Sequence, residues 1–305
     1  MRKPLPRCVS FGEALTDLIR TGPDTWQSAC GGAPWNVARA LAGLGVASAF
    51  GGGISRDLFG QALWRESEAA GLDLRFLQQL DKPPLLAVVH ETAPPQYFFI
   101  GEDSADLHFD PAALPDGWEA ALDWAHFGCL GLWREPLAAR LLALAAQLKA
   151  AGKRISYDPN FRAVMDEHYD PTLERMCGLV DAIKVSDEDL RRLFRSSDAA
   201  PGQAQLRAWA PTAWILLTRG AGIATLYRGD QQWSLMPPEV AVIDTVGAGD
   251  AAMAGLLASL MQQPPHQQSP GEQHLRWAVT AGALACTAAG AFAPDRQALL
   301  RSLSA

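Results

Sequence analysis

The heptapeptide Asp244-Thr245-Val246-Gly247-Ala248-Gly249-Asp250 carries the densest chemistry in the chain. It separates a β-branched run, 240–244, from the Ala- and Leu-rich run 251–261. Two glycines around one small residue permit a tight turn with successive N–H groups left open, and a helix beginning there adds a dipole that favours an anion. Gly247, Ala248 and Gly249 are thus candidates for a hole that holds a transferred phosphoryl group. Asp250 falls in the first helical turn beside them. A carboxylate next to bound phosphate costs Coulomb energy, so it makes a poor ground-state ligand. It makes a good general base, orienting an attacking hydroxyl and accepting its proton. A plainer reading stays open, in which the glycines only close a turn and Asp250 only favours its helix dipole. Gly247-x-Gly249-x-x-Ala252 also matches the dinucleotide-binding pattern. In that case Asp250 would face the pyrophosphate, and Glu272, the next acid at suitable spacing, stands in a polar stretch instead of at a strand end.

A second glycine-rich segment, Gly31-Gly32-Ala33-Pro34-Trp35-Asn36, precedes an apolar helical run that closes at Gly45. Pro34 suits a first helical turn and Gly45 a C-terminal cap, so Gly31-Gly32 is the entry turn and Asn36 faces whatever the glycines approach. Asp17 lies in the alternating segment before it. A carboxylate and an amide together accept from and donate to vicinal hydroxyls, as an uncharged polyol requires. Taken singly, Asn36 reads equally well as a surface polar residue and Asp17 as a solvent-facing one.

The elements that must position these residues alternate. Runs 124–132, 155–158, 182–185, 214–218 and 240–244 read as strands, with helical spacing over 136–151, 187–194 and 251–261. Such alternation predicts a parallel sheet covered on both faces by helices. Segments 13–32 and 85–101 alternate like strands with no helix between, predicting an antiparallel sheet that projects as a lid, with a turn at Ala93-Pro94-Pro95. The polar, Pro-rich stretch 262–274 reads as a solvated loop, and the low-charge run 277–294 as a buried core helix in place of a bilayer span. The expected division is a core of 1–12, 36–84 and 110–305 with a lid of 13–35 and 85–109.

A formal charge of −7 on 305 residues, with no basic run, gives no electrostatic reason to bind nucleic acid or an anionic membrane. The five scattered cysteines read as reduced thiols, and the N-terminus lacks a signal-peptide pattern, so a cytoplasmic location is expected. There is no G-x-x-x-x-G-K-[ST] and no H-E-x-x-H. Any metal should therefore be Mg2+ arriving with a nucleotide.

The two glycine-rich motifs, together with Gly51-Gly52-Gly53-Ile54-Ser55-Arg56-Asp57 and Leu217-Thr218-Arg219-Gly220-Ala221-Gly222, resemble the PfkB or ribokinase family of carbohydrate kinases over essentially the whole chain. The resemblance implies a Rossmann-like three-layer αβα core carrying a β-sheet lid that often pairs two subunits as a homodimer. It also implies ATP with Mg2+ and a monovalent cation, K+, as cofactors. The implied roles are Asp250 as base, Gly247, Ala248 and Gly249 as anion hole, and Asp17, Gly31, Gly32 and Asn36 as sugar contacts. Ser186, Thr218, Gly220, Gly222 and Gly249 would lie along the nucleotide, and Asp244 with the Val246 backbone would hold the cation. Gly12-Glu13-Ala14-Leu15, Ser104-Ala105-Asp106 and Lys184-Val185-Ser186-Asp187-Glu188 look most like fructokinases. Asp158-Pro159-Asn160-Phe161-Arg162 resembles a segment shared with ketodeoxygluconate kinases, whose Arg reaches the substrate.

Three departures bear on the substrate. Trp35 stands where the family usually has a small residue, narrowing the sugar pocket or packing under the lid. The family's Asn-x-x-Glu metal motif reads Ser186-Asp187-Glu188-Asp189, so Asp189 would act on Mg2+ through water if it acts. No Arg precedes Ser104 in Phe98-Phe99-Ile100-Gly101-Glu102. Fructose is the expected acceptor, with a sugar acid or nucleoside as alternatives. A sensing protein that lost turnover is the non-enzyme reading, against which the intact Asp250 stands.

Overall fold

The computed structural model describes residues 4–92, 95–262 and 270–304. The first half contains β1 (Cys8–Phe11), β2 (Leu15–Arg20), β3 (Trp26–Gly31), α1 (Ala33–Gly43), β4 (Ser48–Ser55), α2 (Leu58–Ala69), β5 (Leu77–Leu80), β6 (Leu86–Thr92), β7 (Pro95–Ile100), α3 (Trp118–Ala121) and β8 (Trp124–Gly128). It continues through α4 (Leu137–Ala150), β9 (Arg154–Asp158), α5 (Asp170–Cys177), β10 (Ala182–Ser186), α6 (Asp187–Leu193) and α7 (Ala200–Trp209). The last part holds β11 (Trp214–Thr218), β12 (Ala224–Arg228), β13 (Gln231–Leu235), α8 (Ala248–Met261), α9 (Pro270–Ala285) and α10 (Arg296–Ser304).

Nine strands form the core sheet in the order β13-β12-β11-β10-β9-β8-β1-β4-β5. The seven from β11 to β5 run parallel and only β12 and β13 are antiparallel. Because side chains alternate across a strand, β10 sends Ile183 and Val185 to one core layer and Ala182 to the other. The second layer is built from α1, α8 and α9. Lys184 follows Ala182 in the pleat and therefore faces α8. All seven parallel strands end at one edge of the sheet, and β1, flanked by β4 and β8, marks the reversal of strand order where α/β sheets place ligands.

The lid is a separate sheet in the order β3-β2-β6-β7. Its two hairpins are antiparallel as expected, but the central β2–β6 pair is parallel, so the sheet is mixed. The cause lies in the core. β2 leaves from the end of β1 and β6 from the end of β5, two strands that point the same way, so both depart in one direction. Ala93 and Pro94 of the expected turn lie outside the described residues.

Four other expectations change. Residues 240–244 form no strand: Val242 and Ile243 are exposed, and the Ile243 and Asp244 N–H groups both go to the Cys286 carbonyl while β13 occupies the sheet edge. Strand β8 stops at Gly128, and Cys129–Leu132 turn as a 3-10 segment. Pro270 already begins α9, and His274 is buried with its ring against Trp214 and its Nδ1 2.8 Å from Ser259 Oγ. Gln263 to Ser269 of the expected loop lie outside the described residues. The run 277–294 is helical only to Ala285 and then turns, and the turn around Gly290 packs on the 244–247 segment. Among the described residues no helix is long and apolar enough to cross a membrane.

Candidate active site

Helix α8 starts at Ala248 with Gly247 before it in the left-handed region at φ 78°. A side chain at Gly247 would also collide with Ala291, so both backbone conformation and space demand glycine there. Asp250 is the third helical residue, the position where a carboxylate gains most from the dipole, yet it is only 6% exposed. Asn36 Nδ2 donates to its Oδ2 at 2.8 Å, and Asn160 Nδ2 approaches Oδ1 at 3.4 Å. Burial raises the Asp250 carboxyl above the ordinary carboxylate range, opposed by the Asn36 hydrogen bond and by the charges of Lys184 and Arg162.

The glycine turn lies on a cation. A Cβ at Gly249 would stand 2.8 Å from Lys184 Nζ, so glycine is what lets the α8 start descend onto the ammonium. Lys184 is buried and donates to Asp158 Oδ2 at 2.9 Å. Burial opposes its charge, but Asp158, Asp189 and Asp250 outweigh that and hold the ammonium protonated. The Ala248 N–H is already given to the Thr245 carbonyl at 3.2 Å, so of the three expected donors an anion over this turn would meet the Gly247 and Gly249 N–H groups, with a fixed positive charge below them. Lys184 and Asp158 stand in segments that resemble the family but drew no role from the sequence, although one legible signal existed: a lysine inside an otherwise apolar strand is rarely buried without a task.

Gly32 caps α1 at φ 113°, where a Cβ would stand 2.5 Å from the Glu13 carbonyl oxygen and 2.9 Å from Ala14 Cα, while a Cβ at Gly31 would stand 2.5 Å from Asp17 Oδ2. The Asp17 carboxylate therefore lies over Gly31. Burial raises it to about 6, with Arg162 pulling the other way. Arg162 Nη1 is held by the Asn160 carbonyl at 2.9 Å, Asn160 Oδ1 at 2.6 Å and the Phe161 carbonyl at 2.9 Å. Its charge acts on Asp17, Asp250, Glu13 and Tyr97. Asn160, at φ 42°, serves both the arginine and the catalytic candidate, and Asp158 fixes that turn by accepting the Asn160 N–H at 3.0 Å. Asp17, Gly31, Gly32, Asn36, Arg162 and Asp250 are thus gathered at one place.

The remaining candidates spread outward. Ser186 and Thr218 end adjacent strands and are paired in register. Ser186 caps α6: its Oγ accepts the Asp189 N–H at 2.9 Å, and Asp189 Oδ2 accepts the Ser186 N–H at 2.8 Å. Asp189 Oδ1 also accepts the Phe161 N–H at 3.0 Å, so this carboxylate ties α6 to the Arg162 turn. Gly220 and Gly222 lie in the turn after β11, away from Asp250 in the hydrogen-bond network. Asp244 accepts from the Val246 N–H at 3.1 Å and the Gly290 N–H at 2.8 Å, joining the two loops. Trp35 does not line the sugar side. It is wholly buried among Phe50, Ile54 and Leu63, donates to Ser67 Oγ at 2.9 Å and carries the Arg39 guanidinium over its ring. Arg134, from beyond β8, reaches Asp106, Ser104 and the Gly101 carbonyl, a cation for that segment from elsewhere in the chain.

Among the described residues no three His, Cys, Asp or Glu side chains cluster as a metal site.

A strand-order reversal, a helix start carrying a buried acid and a separate four-strand mixed sheet beside it are the features of an α/β small-molecule-binding fold. The chain belongs to the pfkB family carbohydrate kinases, whose model matches residues 5–298, and is an ATP-dependent sugar kinase. It is 36% identical over 306 residues to the fructokinase of Klebsiella pneumoniae, covering 96% of this chain and 98% of that one. It is similar to the structure of Xylella fastidiosa fructokinase with bound ATP, with TM-score 0.87, 28% identity, and 99% and 100% of the two chains covered. A fructokinase double mutant of Vibrio cholerae O395 with fructose, ADP and potassium bound aligns with TM-score 0.84 and 29% identity over 98% and 99% of the chains.

Proposed function

We propose that this kinase phosphorylates fructose, with Asp250 as the general base. The observation that carries the chemistry is the buried Asp250 carboxylate, held by Asn36 beside a glycine turn seated on Lys184. The choice of fructose is supported by likeness to fructokinases over nearly the full chain. Asp17, whose carboxylate lies over Gly31, and Asn36, bonded to Asp250, would bind the sugar hydroxyls, with the Arg162 charge acting on the carboxylates around them. The attacking hydroxyl oxygen bonds to the γ-phosphorus as the bond to the ADP oxygen breaks, and its proton passes to Asp250. The N–H groups of Gly247 and Gly249, backed by Lys184, would stabilise charge on the phosphoryl oxygens. Mg2+, when bound with ATP, neutralises phosphate charge. We assign Ser186, Thr218, Gly220 and Gly222 to the nucleotide side and the Asp244–Val246 loop to a monovalent cation. Segments 13–35 and 85–109 act as the lid that excludes water.

Asp250→Asn lowers kcat by about 10²–10⁴ while the KM for ATP stays near that of the wild type. Near-normal turnover in that variant refutes the base. An ADP-release screen over fructose, ketodeoxygluconate, ribose and nucleosides tests the acceptor. Fructose gives the highest kcat/KM, and a sugar acid that wins, with Arg162 essential, overturns the assignment.

A further inference from the structure

Arg134 follows the turn after β8, and its guanidinium closes a buried cluster at the root of the lid. Nη1 donates to Asp106 Oδ2 at 2.5 Å, and Nη2 donates to the Gly101 carbonyl and, at 3.1 Å, to Ser104 Oγ. Ser104 Oγ in turn lies 2.5 Å from Asp106 Oδ1 and 2.8 Å from the Gly101 carbonyl oxygen. The Arg134 and Asp106 side chains are 11% and 1% exposed, so the pair is held out of water. A buried ion pair seldom stabilises a fold more than apolar side chains of similar volume would. Stability alone therefore does not account for a planar fork spread over three acceptors.

The cluster grips the chain where both halves of the lid meet the core. Gly101 is the first residue after β7, and a Cβ on it would stand 2.7 Å from Leu85 Cδ1, at the start of β6. The Leu85 carbonyl accepts the Thr16 N–H of β2 at 3.0 Å, and the Pro83 carbonyl accepts the Ala105 N–H at 2.9 Å. Two residues before Gly101, Phe99 pairs with Ala87, and Ala87 pairs with Asp17, so these three stand in one row across the lid. The turn that leads to Arg134 also holds the other lid root, because its Gly131 N–H is bonded to Glu13 between β1 and β2. A shift of the Gly101 root therefore moves the row that presents Asp17 over Gly31.

We propose that Arg134 is a positioning residue for the reaction: it sets the root of the β6–β7 hairpin, and through it the depth of Asp17 and the seal of the lid against water. The role rests on the reading of Asp17 as a sugar ligand and of segments 13–35 and 85–109 as a lid. Arg134→Lys keeps a positive charge beside Asp106 but cannot span all three acceptors. Arg140→Lys is the control, because Arg140 Nη1 donates to the Leu107 and Phe109 carbonyls at 3.0 Å each and holds the same stretch of chain beyond the root. In Arg134→Lys the KM for the sugar rises at least about fivefold, as the fraction of well-closed lid falls, while the KM for ATP holds. ADP release also exceeds sugar phosphate formation, which the wild type keeps equal. In that leak a water oxygen bonds to the γ-phosphorus as the bond to the ADP oxygen breaks, and inorganic phosphate leaves. Amide exchange of β6 and β7, which needs no turnover, is faster in Arg134→Lys and unchanged in Arg140→Lys. The kinetics use whichever sugar the wild type turns over best, so a wrong choice of fructose leaves this test intact. An unchanged sugar KM with equal ADP and sugar phosphate in Arg134→Lys, or the same changes in Arg140→Lys, overturns the role. Should Arg134→Lys fold poorly, Arg134→Met/Asp106→Asn, which leaves no buried charge at the root, is judged by the same readouts.

Discussion

Glu13 offers a quantitative handle on how the sugar side is assembled. It is 1% exposed, its Oε2 accepts the Gly131 N–H at 2.8 Å, and its Oε1 has no partner. Burial raises its carboxyl from the ordinary 4.5 to about 7, against the pull of the backbone N–H groups, Cys129 and Arg162. At about 1.4 kcal/mol per pH unit, that difference corresponds to roughly 3 kcal/mol. The sign follows from which state holds the proton longer. Below pH 4.5 both folded and unfolded chains carry a neutral Glu13, and the stability is fully present. As pH rises from 4.5 towards 7 the unfolded chain releases its proton first, so this residue's contribution falls and is lost above about 7. Glu13→Gln is close to isosteric with the neutral acid and cannot titrate. Urea denaturation followed by tryptophan fluorescence should therefore give nearly equal stabilities at the acid end. The variant should gain on the wild type to about 3 kcal/mol at the alkaline end. Neighbouring groups such as Asp17 titrate in both proteins and drop out of the comparison. A stability difference that stays constant across this window refutes the reasoning.

Because burial raises the Asp250 carboxyl and the base must be ionised, kcat should fall with decreasing pH along a limb above the ordinary carboxylate range; a rate that stays flat into that range argues against this base. Asn36→Ala removes the hydrogen bond that lowers the same carboxyl, so that limb should move to higher pH in the kcat profile, and an unmoved limb would show that Asn36 serves only the substrate. Lys184→Met leaves Asp158 buried without its partner and should cost about 3–5 kcal/mol in denaturant unfolding, with much of that recovered in the double variant that also carries Asp158→Asn. Independent, additive losses would show that the two side chains are not a pair.

How much could be read in advance depends on how local each feature is. The Gly247-Ala248-Gly249-Asp250 turn, the Gly31-Gly32 entry and the Asn36 position rest on backbone rules spanning a few residues, and their spacing alone states them. The parallel core followed from strand and helix periodicity. By contrast, 240–244 has the composition of a strand and lacks a neighbour to pair with. The Pro270 to His274 stretch has the composition of a loop, yet Trp214 and Ser259 bury His274. Trp35 could be read as a pocket wall or as core, and only the packing of Phe50, Ile54 and Leu63 around it decides for core.

The order of residues by itself determined the tight glycine turn, the helix start behind it and the acid in its first turn, because φ freedom, capping and dipole act over one turn of chain. Tertiary structure alone decided that Lys184 underlies Gly249, that Asn36 and Asn160 converge on Asp250 from 214 and 90 residues away, and that the lid's central strands run parallel. Those features depend on which chain ends the core sheet brings to a single edge, and no local pattern encodes that meeting.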